Sequence, residues 1–154
     1  MTITDNGGGI AKEDFESVCE RHCTSKITNF EDLENCKTFG FRGEALASIS
    51  HVAHLQITSC QKGNPVAFTC KFEDGKMIGT PKPCAGTTGT TIQVEDLFYN
   101  TTRRKNFTQH NSEYKKILDL LKKYALKNPT VNFVCKNVSI FCFVFFFSSF
   151  AINF

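Results

Sequence analysis

Three strand-like segments between His54 and Leu97 constrain this chain more than any other feature. His54 to Cys60, Pro65 to Phe72 and Gly89 to Leu97 are short and rich in β-branched and aromatic residues. Glu73 to Lys76 carries the hairpin-turn signal Asp74-Gly75, and Pro81 to Gly86 reads as a loop. Strands of this kind need a sheet with one face covered. The cover comes from helical patterns. Lys12 to His22 places Phe15, Val18 and Cys19 at i, i+3 and i+4, with Glu13 and Asp14 in the first turn. Gly43 to Ser50 is expected to open a short helix, buried on its Ala45, Leu46 and Ile49 side. Asn111 to Lys127 is the clearest helix. Ser112 suits its N-cap, Tyr114, Ile117, Leu118, Leu121 and Ala125 form an apolar stripe, and Asn128-Pro129 ends it. Residues 1 to 4 read as β, and Val131 to Cys135 as a further strand. Residues 23 to 40 read as a long polar loop with a helical turn around Glu31 to Asn35.

A length of 154 residues fits one domain, yet the aromatic residues are unevenly spread. Seven of the 16 Phe fall within residues 141–154, and no charge follows Lys136. The apolar run Ile140 to Phe147 is too short for a membrane span of roughly 20 residues. The tail reads as an edge strand or as non-native translation, and its uncharged β-prone character is an aggregation hazard. Residues 1–137 are therefore expected to form the domain, with 138–154 outside it. Apolar residues at 41% and charged residues at 21% give a globular composition, and a net charge of +3 does not by itself indicate nucleic-acid binding. The eight Cys (19, 23, 36, 60, 70, 84, 135, 142) form no CxxC pair, and the opening residues MTITDNGGGI do not read as a secretory leader, so none is expected. Free thiols in a reducing compartment follow. Cys19, His22 and Cys23 lack the second ligand pair of a zinc site, and His51, His54 and His110 show no metal spacing.

Two glycine-rich words carry chemistry. In Asp5-Asn-Gly-Gly-Gly-Ile10 a carboxylate ends a strand and glycines follow. The carboxylate is placed to accept from an exocyclic amine, and the glycines let a flat base lie against the backbone, although the same residues suit an ordinary turn. In Gly40-Phe-Arg-Gly-Glu-Ala-Leu46, glycines flank Phe41-Arg42 just before a helix, where backbone N–H groups and the helix dipole favour phosphate. The preceding loop supplies Thr24, Ser25 and Lys26, two hydroxyls and an ammonium. Gly89-Thr90-Thr91 opens a strand with a hydroxyl directed at the base or at the Asp5 side chain.

In this order, these residues resemble the ATP-binding domain of the GHKL superfamily. The words CERHCTSK (19–26), GFRGEALASISHVAHLQITS (40–59) and VEDLFYNTTRRK (94–105) narrow the resemblance to MutL-type DNA mismatch-repair proteins, and VCER and ASISHVAH favour the eukaryotic branch that supplies the common subunit of the repair heterodimers. It covers residues 2 to 137. It implies an α/β two-layer sandwich of the GHKL type: a mixed, mostly antiparallel sheet with helices on one face, truncated at both ends. It also implies an ATP-gated clamp that couples mismatch recognition to strand incision in the nucleus. Its partners are a second MutL-type subunit and mismatch-recognition proteins. The resemblance makes Asp5 the adenine-binding carboxylate with Gly7 and Gly9 beside the base. It assigns Thr24, Ser25 and Lys26 to the lid, and Arg42, Gly43, Glu44, Ala45 and Leu46 to the phosphate turn. Thr90 supports the adenine pocket.

The family draws its general base and Mg²⁺ ligand from a Glu-x-x-x-Asn helix upstream of Asp5, and residues 1 to 4 supply neither group. A lost general base costs roughly 10²–10⁴ in rate, so the expectation is ATP binding, with Mg²⁺ implied only by the family, and negligible hydrolysis by these residues alone. Arg103-Arg104-Lys105 follows Tyr99-Asn100 one residue early for the family. It reads either as a weak, non-specific DNA contact or as a solvated turn. The lysines of Asn111 to Lys127 read as a solvated face. The alternative function is a truncated, non-enzymatic product without useful ATP binding, and another GHKL class is disfavoured by GFRGEAL.

Overall fold

The computed structural model describes residues 1–27, 29–34, 38, 40, 42–108, 110–137 and 140–145. Asn35, Cys36, Phe41 and residues 138–139 and 146–154 of the expected loop turn, phosphate turn and tail lie outside the described residues. The chain divides into two units, Met1–Lys105 and Asn106–Phe154.

The first unit is built on five strands: β1 (Thr2–Asp5), β2 (His54–Cys60), β3 (Ala67–Glu73), β4 (Lys76–Cys84) and β5 (Gly89–Glu95). They lie in the order β1-β5-β2-β3-β4, with every pairing antiparallel. Directly opposed residues share a face in such a ladder, so the register writes the core as rows. Phe72, Leu55 and Val94 form one row, and Cys70, Ile57, Ile92 and Ile3 the next. Most of these side chains are buried against Phe15 and Cys19, with Val18, Leu46 and Ile49 packed on the same cluster. The third row runs from Phe68 to three polar residues, Ser59, Thr90 and Asp5.

Several expectations change. Lys12 to His22 is not an α-helix. It is a 3-10 helix (Lys12–Glu16) followed by further three-residue turns, in which Ser17 N–H donates to Asp14 O, Glu20 N–H to Ser17 O, and Cys23 N–H to Glu20 O. The Ser17 hydroxyl also donates to Asp14 O at 3.1 Å, competing for the carbonyl that a longer helix would use. The apolar spacing still delivers Phe15 and Cys19 to the core. Pro81 to Gly86 is not all loop, because β4 runs to Cys84. It is an edge strand, where Pro81 and Pro83 need no ladder donor. The loop helix is a 3-10 turn (Phe30–Leu33), capped reciprocally by Asn29 and Asp32. The short helix α1 (Ala45–Ser50) buries Ala47 and Ser50, and Ala45 is exposed. Ser50 explains the rotation. Its hydroxyl donates to Ala47 O at 2.7 Å and accepts from Gly75 N–H at 3.0 Å, while its carbonyl accepts from Asp74 N–H. The expected hairpin turn, with Asp74 at φ 49° and Gly75 at φ 77°, is thereby tied to the helix end.

After β5, α2 (Thr102–Phe107) replaces the simple turn expected there. The second unit holds α3 (His110–Lys127), β6 (Phe133–Asn137) and β7 (Ile140–Phe145). Because α3 begins at His110, Ser112 lies inside its first turn rather than at the N-cap. Ala125 is buried, Ile117 is exposed, and Lys116–Glu113 and Lys122–Asp119 pair along the outer face. Asn128 closes the helix by donating its side-chain amide to Tyr124 O. Part of the Phe-rich tail pairs with β6 as the antiparallel strand β7.

Cys19 is 1% exposed, and burial pushes its thiol up to about 12. In the unfolded chain the thiol ionises near 9, so unfolding releases a proton above that pH and stability falls as pH rises. Cys70, raised mainly by burial, acts in the same direction. The Cys19 contribution to the slope reaches about 1.4 kcal/mol per pH unit. Urea unfolding between about pH 8 and 10.5, a window spanning the unfolded-state titration, checks this: Cys19→Ala is expected to flatten the loss, and an unchanged pH slope in that variant would contradict it.

Candidate functional site

The polar row of the sheet builds one half of the site. Asp5 ends β1 opposite Thr90, and Thr90 lies opposite Ser59 on the other side of β5. Asp5 is exposed, and its Oδ1 accepts the Gly7 N–H at 2.8 Å. This Asx turn fixes the carboxylate through one oxygen and leaves Oδ2 able to accept from a further donor. Ser59 is 2% exposed and organises the surrounding backbone. Its hydroxyl accepts the Ile10 N–H at 2.8 Å and donates to Gly89 O at 3.0 Å. With that single proton committed, the 2.9 Å contact between Ser59 and Thr90 is a donation from Thr90. The Thr90 hydroxyl therefore meets Ser59 rather than the Asp5 side chain.

Gly9 lets the glycine-rich loop cross the end of β2. It has φ 75°, and an added Cβ would fall on the Cys60 carbonyl. The Lys62 N–H donates to Gly8 O at 2.8 Å and holds the crossing.

The second half is a cavity of about 780 Å³, within the usual range for ligand sites. Thr24, Ser25 and Lys26 line one wall, and Arg42, Gly43, Glu44, Ala45 and Leu46 line another. The eight residues read from the sequence as lid and phosphate turn thus share one cavity. The Thr24 hydroxyl accepts the Lys26 N–H at 3.1 Å, folding that segment into a tight turn. Gly43 has φ 63°, and a Cβ there would fall on the Cys23 carbonyl oxygen. The two walls therefore touch through their backbones. Ile10 links the halves, since its N–H is held by Ser59 and its side chain lines the cavity.

Sequence reasoning misses two participants. Ser59 is a hydroxyl at an inward position of β2, in register with Leu55 and Ile57. That break in an apolar face is the available signal. His22, at φ 66°, places Nδ1 3.1 Å from Glu44 Oε1, a pairing that no local pattern announces.

These residues fit a purine nucleotide: a fixed carboxylate for an amine, glycines for close approach, and a cavity bearing Lys26 and Arg42 for phosphate. Among the described residues no group of three or more His, Cys, Asp or Glu is arranged to hold a metal ion. Arg103, Arg104 and Lys105 are exposed on α2, with the Arg104 guanidinium 5.1 Å over the Phe98 ring.

No family model matches the chain. It is 50% identical over 145 residues to the DNA mismatch repair protein Mlh1 of Dictyostelium discoideum, covering 88% of this chain and 16% of that protein. It is likewise 50% identical over 137 residues to the DNA mismatch repair protein MLH1 of Saccharomyces cerevisiae, covering 88% and 18%. The chain thus spans under a fifth of the length of these relatives. Its fold is similar to that of the Aquifex aeolicus MutL ATPase domain complexed with ADP, with a TM-score of 0.63 and 29% identity over 86% of this chain and 45% of that one.

Proposed function

We propose that this chain, which belongs to the MutL-type family of DNA mismatch-repair proteins as part of the GHKL ATP-binding domain, supplies the nucleotide-binding portion of an ATP-gated repair clamp. The observation that carries this is the polar row of the sheet. It sets Asp5 at the strand end, exposed and with one carboxylate oxygen fixed by Gly7 N–H. Asp5 receives the exocyclic amine of adenine, Gly7 and Gly9 border the base, and Thr90 braces the floor through Ser59. Thr24, Ser25 and Lys26 cover the phosphates, and Arg42 with the backbone of the Gly43–Leu46 turn receives them. The nucleotide supplies the signal, ordering the lid segment when bound. Residues 1–137 form the family domain in this reading, with 138–154 outside it.

The clamp would act in the nucleus with a second MutL-type subunit and mismatch-recognition proteins. The alternative, a product that binds no nucleotide, is not favoured by its relatives. Titration with ATP or ADP tests the reading: saturable binding is expected, and its absence overturns it.

Arg103, Arg104 and Lys105 add a weak, non-specific contact to DNA phosphates. Three such contacts predict a slope of about −2.7 for log K against log salt concentration. Replacing all three by alanine is expected to bring the slope close to zero. Binding that ignores salt, or an unaltered slope in that variant, would exclude this role.

A further inference from the structure

We propose that His22 is a positioning residue of the nucleotide site, holding the Glu44 carboxylate in a side-chain contact so that it is not free to turn against bound phosphates. The inference rests on the nucleotide reading given above. The cavity lining mixes charge signs: Lys26 and Arg42 favour phosphate, and Asp14 and Glu44 oppose it. Glu44 stands at the N-cap position of α1 yet makes no side-chain bond to the helix. Its Oε1 lies instead 3.1 Å from His22 Nδ1. A like charge beside a ligand is repulsive, and an imidazole N–H that donates to the carboxylate fixes where that charge stands.

The backbone around the pair sharpens its role. His22 adopts φ 66°, a left-handed conformation unfavourable for a residue with a Cβ. The following residue, Cys23, puts its carbonyl against Gly43. The two walls are thus already joined by close backbone packing, and the pair is not needed to hold them together. What His22 adds is the placement of one negative charge. With side chains 82% and 39% exposed, the pair is solvent-screened, and its effect on affinity is about two- to fivefold.

The experiment compares four proteins, the unaltered chain, His22→Ala, Glu44→Gln and the double variant, each titrated with ADP and with adenosine. His22→Ala is expected to weaken ADP binding about two- to fivefold and to leave adenosine unchanged. In the Glu44→Gln background, where no carboxylate remains to be held, His22→Ala is expected to change neither. A loss that strikes ADP and adenosine equally, or that persists in the Glu44→Gln background, assigns His22 a merely structural part and overturns the inference. ADP binding indifferent to His22→Ala also overturns it while leaving the nucleotide reading intact. If the unaltered chain binds neither ligand, the nucleotide reading fails and takes this one with it.

Discussion

Gly43→Ala is expected to lower ADP affinity by about tenfold or more, the fold-change that roughly 1–2 kcal/mol of strain at the cavity wall corresponds to. The added Cβ would fall on Cys23 O and lie 2.7 Å from Cys23 C and 2.8 Å from Cys23 N. All three are backbone atoms, so no flexible side chain can swing aside. The residue also has φ 63°, where an L side chain costs about 1–2 kcal/mol. Either the Cys23–Lys26 segment or the turn around Gly43 must shift, and both line the cavity. Gly40→Ala is the matched control. Gly40 also lines the cavity, but a Cβ there meets nothing within 4 Å. Calorimetric titration with ADP should find Gly40→Ala within about twofold of the unaltered chain. Equal affinities for the two variants would show that the close approach at Gly43 is irrelevant to binding. Thermal unfolding of both, run in parallel, separates lost affinity from lost fold.

The second large effect is at Asp5. Asp5→Ala is expected to weaken ADP binding roughly 10- to 150-fold, the equivalent of about 1.5–3 kcal/mol for a hydrogen bond to a charged group. Stability should change little, because the side chain is exposed and its bond is to Gly7 N–H, another exposed group. Asp5→Asn is more diagnostic. Asparagine keeps an oxygen for Gly7 N–H and puts an NH₂ where Oδ2 stood. That NH₂ faces the adenine amine as donor against donor, but it matches the carbonyl of hypoxanthine. The ratio of inosine diphosphate to ADP affinity is therefore expected to rise by about tenfold or more. An unchanged preference in the Asp5→Asn variant would remove Asp5 from base recognition.

The sheet strands are legible where side-chain chemistry and geometry agree. His54 to Cys60 reads as a strand with its observed boundaries, and Asp74-Gly75 makes the expected turn. β4 is hidden because prolines signal loops, and only its place at the sheet edge makes Pro81 and Pro83 tolerable. The Lys12 to His22 segment shows the reverse case. An i, i+3, i+4 stripe reports which residues face inward, and three-residue turns satisfy it nearly as well as an α-helix does. At the site, Asp5, the glycines and the Arg42–Leu46 turn stand out because short words carry them. Ser59 and His22 do not. Each acts on a residue far away in sequence or across a turn, and only the register of β2 on β5 or the fold of the loop brings the pair together.

The pairing of β1 with β5 has a consequence for how the site comes into being. The Met1 amino group donates to Val94 O across 93 residues, and Asp5 finds Thr90 only when the last strand of the sheet is present. Loop closure over that distance is entropically unfavourable and slow compared with the neighbouring hairpin of β3 and β4. The Asp5 carboxylate is thus made well before its partner strand and is among the last groups to reach its place in the sheet. At about 5–20 residues per second it waits several seconds for that strand to be made. A nucleotide that binds only the assembled row stabilises the docked β1 by mass action. A ligand of the assembled row thereby favours the closing step of its own site.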